Sequence, residues 1–333
     1  MVVSNIASRP VAGQDYPSTW AQFLDWFPDE AACGAYLERL RWPQGFVCPR
    51  CGEPGEAYPV SRRRLMCPQC RYQGTVTAGI IFDKTRTSLR SWFAAAWYIT
   101  NQKQGVTALG LQRVLGVGSY QTAWMMLHRL RRAMIRPGRE RLSGIVEVDE
   151  TIVGRSAANK RRVGKREKQL ADQYNARRSL VAIAVEIKEP KGFGRIRLRR
   201  IPDTSEASLL PFVQDSIAPG SVVRTDGSWA YRTLPDNGYP RDMRIMVGAD
   251  DPAHVALPAV HRVAALLKRW LLGTHQGSVK PYLIDAYLDE FTFRFNRRAA
   301  RSRGLLFYRL LEQAVVTEPV TYNQIITRPK HQI

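Results

Sequence analysis

Four of the five cysteines fall into two pairs of identical spacing. Cys48 and Cys51 form CPRC, Cys67 and Cys70 form CPQC, and 15 residues separate the pairs. A CxxC turn aims two thiolates at one point, and two such turns complete the tetrahedron that Zn2+ prefers. A closed four-thiolate site is structural: it holds a fold and leaves no open position for chemistry. Two disulfides are the alternative, which the reducing interior of a cell disfavours. The stretch EPGEAYPVSRRRLM between the pairs reads as a turn with strands, as in a zinc ribbon. Arg62, Arg63 and Arg64 precede the second pair. They read either as phosphate contacts or as a solvated hairpin tip. Cys33, inside the amphipathic helix pattern AACGAYLERL, reads as a small buried side chain.

A second set of residues has the chemistry of phosphoryl transfer. Asp149 lies within SGIVEVDETIVG and Asp226 within GSVVRTDGSWAY. Two carboxylates that share divalent cations about 3.5–4 Å apart can clamp the attacking and leaving oxygens of a phosphodiester. His261 follows Asp226 after 34 intervening residues, with Lys268 seven residues further on, two helical turns along the same face. The stretch LPAVHRVAALLKRWLLGTH contains no acid, so His261 is the donor that a third ligand position would use. Neutral imidazole suits Mn2+ better than Mg2+, which prefers oxygen. Glu290 in YLDEF is the rival third ligand, or the partner of a nearby Arg. Glu150 is expected on the strand face opposite Asp149. Lys268 is expected to hold a phosphate. Trp229 and Tyr231, just beyond Asp226, read as base-stacking rings or as core.

The elements that must position these groups follow from periodicity. Ile145, Glu147, Asp149 and Thr151 alternate with Val146, Val148, Glu150 and Ile152, the pattern of a strand. Residues 179–188 and 194–201 continue it as a three-strand meander. A helix is expected around 205–217, then a short strand ending at Asp226-Gly227. Two helices follow, one starting near Leu257 and one over roughly 281–300. The order β-β-β-α-β-α is that of an RNase H-like domain with a mixed sheet. Such a domain places acids on its central first strand and at the end of its fourth. Upstream, VTALGLQRVLGV ends at Gly116 and Gly118, and Ser119 is a plausible N-cap for YQTAWMMLHRLRRAM. Tyr120, Ala123, Leu127, Leu130 and Met134 form the expected inner stripe. Gln121, Met125, His128 and Arg132 form the outer one. A glycine turn joining two such helices fits a helix-turn-helix, with Gln121, His128 and Arg132 toward DNA. The chain therefore reads as an α/β multidomain protein. The expected parts are a helical lead (1–40), a zinc ribbon (41–82), a helix-turn-helix-like segment (88–137), an RNase H-like domain (140–300) and a C-terminal tail (301–333).

Charge identifies the class of partner. The chain carries 50 Lys and Arg against 29 Asp and Glu, a formal net charge of +21 over 333 residues. A field this positive attracts polyanions, nucleic acid above all. Six of the nine residues in KRRVGKREK (160–168) are basic, among them Lys160, Arg161, Arg162, Lys165 and Arg166. RFNRRAARSR (294–303) holds five arginines, among them Arg297 and Arg298. These stretches are candidates for tracking a phosphate backbone. No apolar run is long enough to span a bilayer, and MVVSNIASRP lacks a signal-peptide pattern, so a cytoplasmic protein is expected.

WPQGFVCPRCG, CPQC, VEVDETIVG, RTDGSWAY, LLKRWLLGTH and YLDEFTFRFNRR resemble an insertion-sequence transposase of the zinc-ribbon plus DDE type, the ISXO-like branch. The matching pieces run from about Trp42 to Arg298. In that group the third position is Glu, Asn or His, with Lys seven residues on. The resemblance thus implies Asp149, Asp226, His261 and Lys268 as the catalytic set. It further implies structural Zn2+, catalytic Mg2+ or Mn2+, and cleavage of element ends with strand transfer into target DNA. The implied partners are double-stranded DNA, as terminal inverted repeats and as target, and further copies of the same chain; no membrane is implied. Two readings of another class remain: a non-catalytic DNA-binding relative, and a structure-selective nuclease on the same fold.

Overall fold

The computed structural model describes residues 9–61, 63–136, 138–154, 178–188, 190, 192–244, 256–276 and 279–326. The chain divides into two compact units. The first takes the residues up to Arg136 together with Ala299–Ile325; the second takes Pro137–Arg298.

The first unit opens with α1 (Trp20–Trp26) and α2 (Glu30–Arg41). Asp29 caps α2, its carboxylate accepting from the Ala32 amide at 2.9 Å. A three-stranded antiparallel sheet follows: β1 (Tyr58–Val60), β2 (Arg64–Met66) and β3 (Gln73–Thr75). Next come α3 (Leu89–Asn101), α4 (Ala108–Leu115) and α5 (Tyr120–Arg132). As the sequence predicts, α4 stops at Gly116, whose φ of 63° is the left-handed conformation glycine adopts without strain. Ser119 caps α5 by accepting from the Thr122 amide at 3.0 Å.

Residues 301–333, expected as a tail, carry α9 (Arg303–Ala314) and α10 (Tyr322–Ile326). Phe307 of α9 is fully buried in an aromatic core with Phe23, Phe27, Phe93 and Trp97, at ring separations of 5.5–5.9 Å. These tilted and edge-to-face contacts are the geometry that aromatic quadrupoles favour. A Cβ on Gly304 would stand 1.8 Å from the Pro17 carbonyl oxygen, so α9 packs on the N-terminal segment at a distance only glycine permits. The helical lead, the ribbon and the helix-turn-helix-like segment, expected as three parts, fall in this one unit.

The second unit is built on a five-stranded sheet in the order β6-β5-β4-β7-β8. Its strands are β4 (Ile145–Val153), β5 (Ser179–Ile187), β6 (Phe193–Ile201), β7 (Val222–Thr225) and β8 (Arg241–Met243). β4, β5 and β6 form an antiparallel meander, while β7 and β8 run parallel to β4. This is the RNase H-like arrangement, with the first strand at the centre. The polar edge strand β8 has no counterpart in the sequence expectation: RDM is short and shows no alternation. α6 (Glu206–Ser216) covers one face, where Leu209, Phe212 and Val213 pack on Val146, Val148, Ala182, Ala184 and Val223. α7 (Pro258–His275) packs on β4 and β5, and α8 (Ile284–Asn296) packs on β6.

Candidate active site and zinc centre

The two CxxC turns of the ribbon repeat one backbone pattern. The Cys48 amide donates to the Glu53 carbonyl and the Cys48 carbonyl accepts from Gly52. The Cys67 amide donates to Tyr72 and its carbonyl accepts from Arg71. Gly52 and Arg71 both take positive φ, 76° and 57°. The four Sγ atoms lie within 4.8 Å of one another, with Cys48–Cys70 at 3.6 Å and Cys51–Cys67 at 3.7 Å. A tetrahedral ion with Zn–S bonds of about 2.3 Å requires S···S separations of about 3.8 Å. Donor type, number and spacing therefore fit zinc. The ribbon core comprises Phe46, Cys48 and Cys67 with a few half-buried neighbours, too little to fold without the metal. Cys33 is buried on α2, away from the cluster, as expected.

In the second unit, register brings the two acids together. Glu147 of β4 pairs with Arg224 of the parallel strand β7. Two residues further along each strand stand Asp149 and Asp226, on the same pleat and at the carboxyl end of β7. Asp226 is held in a tight turn: its Oδ1 accepts from the Ser228 amide at 3.0 Å. Arg241 donates to its carbonyl at 2.7 Å. α7 supplies the other two groups. His261 Nε2 lies 3.9 Å from Asp149 Oδ2, and Lys268 is exposed on the same helix face. Asp149, Glu150, Thr151, His261, Ala264 and Lys268 line a cavity of about 310 Å3. Burial holds the Asp149 carboxyl above the usual carboxylate range; Asp226 adds to this, while the Glu150 amide, His261 and Lys268 oppose it. Asp226, His261 and Lys268 thus act electrostatically on Asp149, although they are far from it in sequence.

Asp149, Asp226 and His261 suit a divalent cation by donor chemistry, and the 3.9 Å gap is less than two metal–ligand bonds of about 2.1 Å. The set is more open than the cysteine cluster, which among the described residues is the one group with three or more donors this close.

Glu150 follows the alternation onto the α6 face, where it accepts a short hydrogen bond from the Tyr231 hydroxyl. Burial raises its carboxyl to about 7, with Asp149 and Asp226 adding to the rise. Glu290 stands elsewhere. It is fully buried on α8, which packs on β6, two strands from β4, and it pairs with Arg294 at 2.9 Å. That is the bland alternative role the sequence allows.

Among the candidate DNA contacts, Arg63 sits exposed at the β1–β2 hairpin tip, and Gln121 and Arg132 are exposed on α5. Two positions on α5, one expected contact and one expected core residue, require correction. His128 is only 3% exposed and packs at a tilt against Trp124, with ring centroids 4.1 Å apart. Tyr120, expected inside, is 54% exposed. Both misplacements have one cause: α3 and α4 both pack against α5, so its buried arc is wider than, and rotated from, a single stripe. Arg298 donates to the Gly194 carbonyl at 3.1 Å and the Phe193 carbonyl, and its guanidinium stacks 4.1 Å over Phe295. Arg297 covers Phe293 at 4.1 Å. These arginines fasten α8, and Arg298 ties it to the start of β6. Arg62 and the arm residues Lys160, Arg161, Arg162, Lys165 and Arg166 lie outside the described residues.

Sequence reasoning missed the role of Glu147. This carboxylate is buried, and its Oε2 accepts from the Ala259 and Val260 amides at 2.8 and 3.1 Å. It therefore caps the N-terminus of α7, whose own cap position, Leu257, offers no side-chain acceptor. Arg224 lies 3.7 Å from its other oxygen. The signal was present in part: Glu147 is two residues from Asp149, and LPAVH starts a helix without Ser, Thr, Asp or Asn.

A zinc ribbon combined with an RNase H-like domain, with one acid on the central strand β4 and another at the end of the parallel strand β7, defines the zinc-ribbon plus DDE class of transposases. The chain belongs to the ISXO2-like transposases: residues 141–296 match the ISXO2-like transposase domain and residues 28–73 the transposase zinc-ribbon domain. It is 26% identical, over 80% of its length and 91% of the relative's, to a protein in transposable element ISH50 of Halobacterium salinarum. Among solved structures, the catalytic core domain of BIV integrase aligns with 49% of this chain and 89% of that one, at 15% identity and a TM-score of 0.29.

Proposed function

We propose that this transposase cleaves the ends of its element and joins them to target DNA by metal-dependent phosphoryl transfer. The observation that carries this reading is the cavity lined by Asp149, His261 and Lys268 from β4 and α7, with Asp226, at the end of the parallel strand β7, close enough to raise the Asp149 carboxyl. Asp149, Asp226 and His261 would hold divalent metal, which supplies charge neutralisation at the phosphodiester and a more acidic water. Lys268, on the exposed face of α7, holds a phosphate oxygen of the bound strand. In the first step water attacks phosphorus, the P–O3′ bond breaks, and the 3′-oxygen leaves with a proton. In the second, that 3′-hydroxyl attacks a target phosphodiester and displaces its 3′-oxygen, so the number of P–O bonds is conserved. The natural substrate is double-stranded DNA carrying the terminal inverted repeats, with two ends held by more than one copy of the chain.

The test is cleavage and joining of labelled element-end DNA by the purified protein with Mn2+ or Mg2+. Asp149→Asn and Asp226→Asn should each lower the rate at least about 10^3-fold while leaving DNA binding intact. His261→Ala should lose more activity in Mn2+ than in Mg2+, because the imidazole it removes is the better Mn2+ ligand. Tight binding without cleavage by the wild type would instead identify a DNA-binding relative, and cleavage without joining a nuclease.

A further inference from the structure

Of the two rings beyond Asp226, the structure separates one from the other. Tyr231 is 1% exposed and bonded to Glu150, so it belongs to the core. Trp229 is 78% exposed, the most exposed of the large hydrophobic side chains among the described residues. It stands three residues past Asp226, a reach of at most about 11 Å along the chain.

The backbone beneath Trp229 is held from several sides. Ser228 and Trp229 follow the turn that the Asp226 carboxylate closes, and Arg241 donates to the Ser228 carbonyl at 3.0 Å as well as to Asp226. Residues 229–231 form a single 3-10 turn, anchored at its far end by buried Tyr231. An indole this exposed, on such a fixed turn, loses little conformational freedom when a flat partner covers its open face. The charge around it selects the partner: the Arg232 guanidinium lies 5.7 Å from the indole centroid, within a chain of net charge +21.

We infer that Trp229 is a stacking platform for an unpaired DNA base next to the phosphodiester at Asp226, an inference that rests on the proposed function. A paired base hides its faces in the helical stack, whereas a base at a frayed or flipped position offers one to the indole. Arg232, over the ring and 3.8 Å from Glu206, contacts the backbone of the same strand. The ligand is thus the single-stranded side of a duplex junction, and any base satisfies it, because every base has a π-face.

The experiment uses the full-length, zinc-loaded protein without added divalent metal, so that no cleavage occurs. The probes are a blunt 30-base-pair duplex and the same duplex with a short single-stranded extension carrying 2-aminopurine. Wild type should bind the extended probe more tightly and change its fluorescence. Trp229→Ala should weaken that binding about tenfold and abolish the fluorescence change, with the blunt duplex unaffected; Trp229→Phe should retain most of both. Equal losses on the two probes, no loss on either, or a shift in oligomeric state at unchanged DNA binding would overturn the inference. The readout is independent of catalysis. A fluorescence change here, with no cleavage in the separate assay with Mn2+ or Mg2+, would count against the proposed chemistry alone; cleavage in that assay with no fluorescence change here would count against this stacking site alone.

Discussion

Glu147 and Asp149 share one pleat of β4 and have different tasks. Asp149 borders the open cavity beside His261, while Glu147 is sealed beneath α7 and bonded to its first free amides. Removing that acceptor leaves two buried N–H groups without it. Glu147→Ala should therefore destabilise the protein by about 3 kcal/mol. Glu147→Gln, which keeps an oxygen, should lose about 1 kcal/mol. Urea unfolding measures both, and a Glu147→Ala variant as stable as wild type would refute the capping role. A second carboxylate gives the second unit an acid-sensitive clamp. Glu186 accepts from Arg195 at 2.6 Å and from the amides of Arg195 and Ser143. Burial pushes this carboxyl up, but the Arg195 and amide bonds outweigh it and hold it below the ordinary value of 4.5. A depressed folded-state value stabilises above the unfolded one. The contribution, about 1 kcal/mol, should be complete above pH 4.5 and vanish as pH falls through the lower folded value. Comparing wild type with Glu186→Gln across pH 3–6 measures it; a constant difference would remove this assignment.

At the scale of elements, the ribbon and the sheet depend on different forces. The sheet rests on apolar faces, so its meander was legible from alternation: Ile145–Val153, Ser179–Ile187 and Phe193–Ile201 fall where the pattern puts them. The ribbon has little core, and its legible signal was the cysteine spacing. Chelating zinc should therefore unfold residues 46–75 and leave the second unit folded. Limited proteolysis with mass spectrometry should show new cuts between Gly52 and Arg64, and one zinc per chain should be released. Retained protease resistance after complete zinc loss would contradict this. Other features were hidden because they are set by distant parts of the chain. The faces of α5 depend on two neighbouring helices, and the role of Glu147 depends on a helix more than a hundred residues away. Among five clustered arginines, nothing local marks Arg298 as the one that meets the carbonyls at the start of β6. Glu30 shows the same economy of form as Glu147: from the first turn of α2 it accepts from the Leu89 amide of α3 at 2.7 Å.

For the whole molecule, the charge of +21 sets how binding responds to salt. If six or more phosphates are neutralised, affinity for a long duplex should fall about 10^3-fold or more between 50 and 200 mM salt. Fluorescence anisotropy measures the slope, and a decrease under tenfold would mean that most of the positive charge faces water rather than DNA. No helix among the described residues is long and apolar enough to cross a membrane. The division of labour between acids and bases was legible only in part. The sequence marks Asp149 and Asp226 as the acids to watch, but only the parallel register of β4 and β7 makes them neighbours.

The first unit is discontinuous in the chain: its core, begun by Phe23, Phe27 and Phe93, needs Phe307 from α9. This imposes an order on biosynthesis. Folding proceeds during synthesis from the N-terminus, domain by domain. Here, however, the zinc-binding, helix-turn-helix-like unit stays open until the entire sheet unit has been translated. A ribosome that stops before α9 releases a polypeptide that carries Asp149 and Asp226 but lacks the closed unit before them, so the first unit is complete only once the chain beyond the sheet has been made.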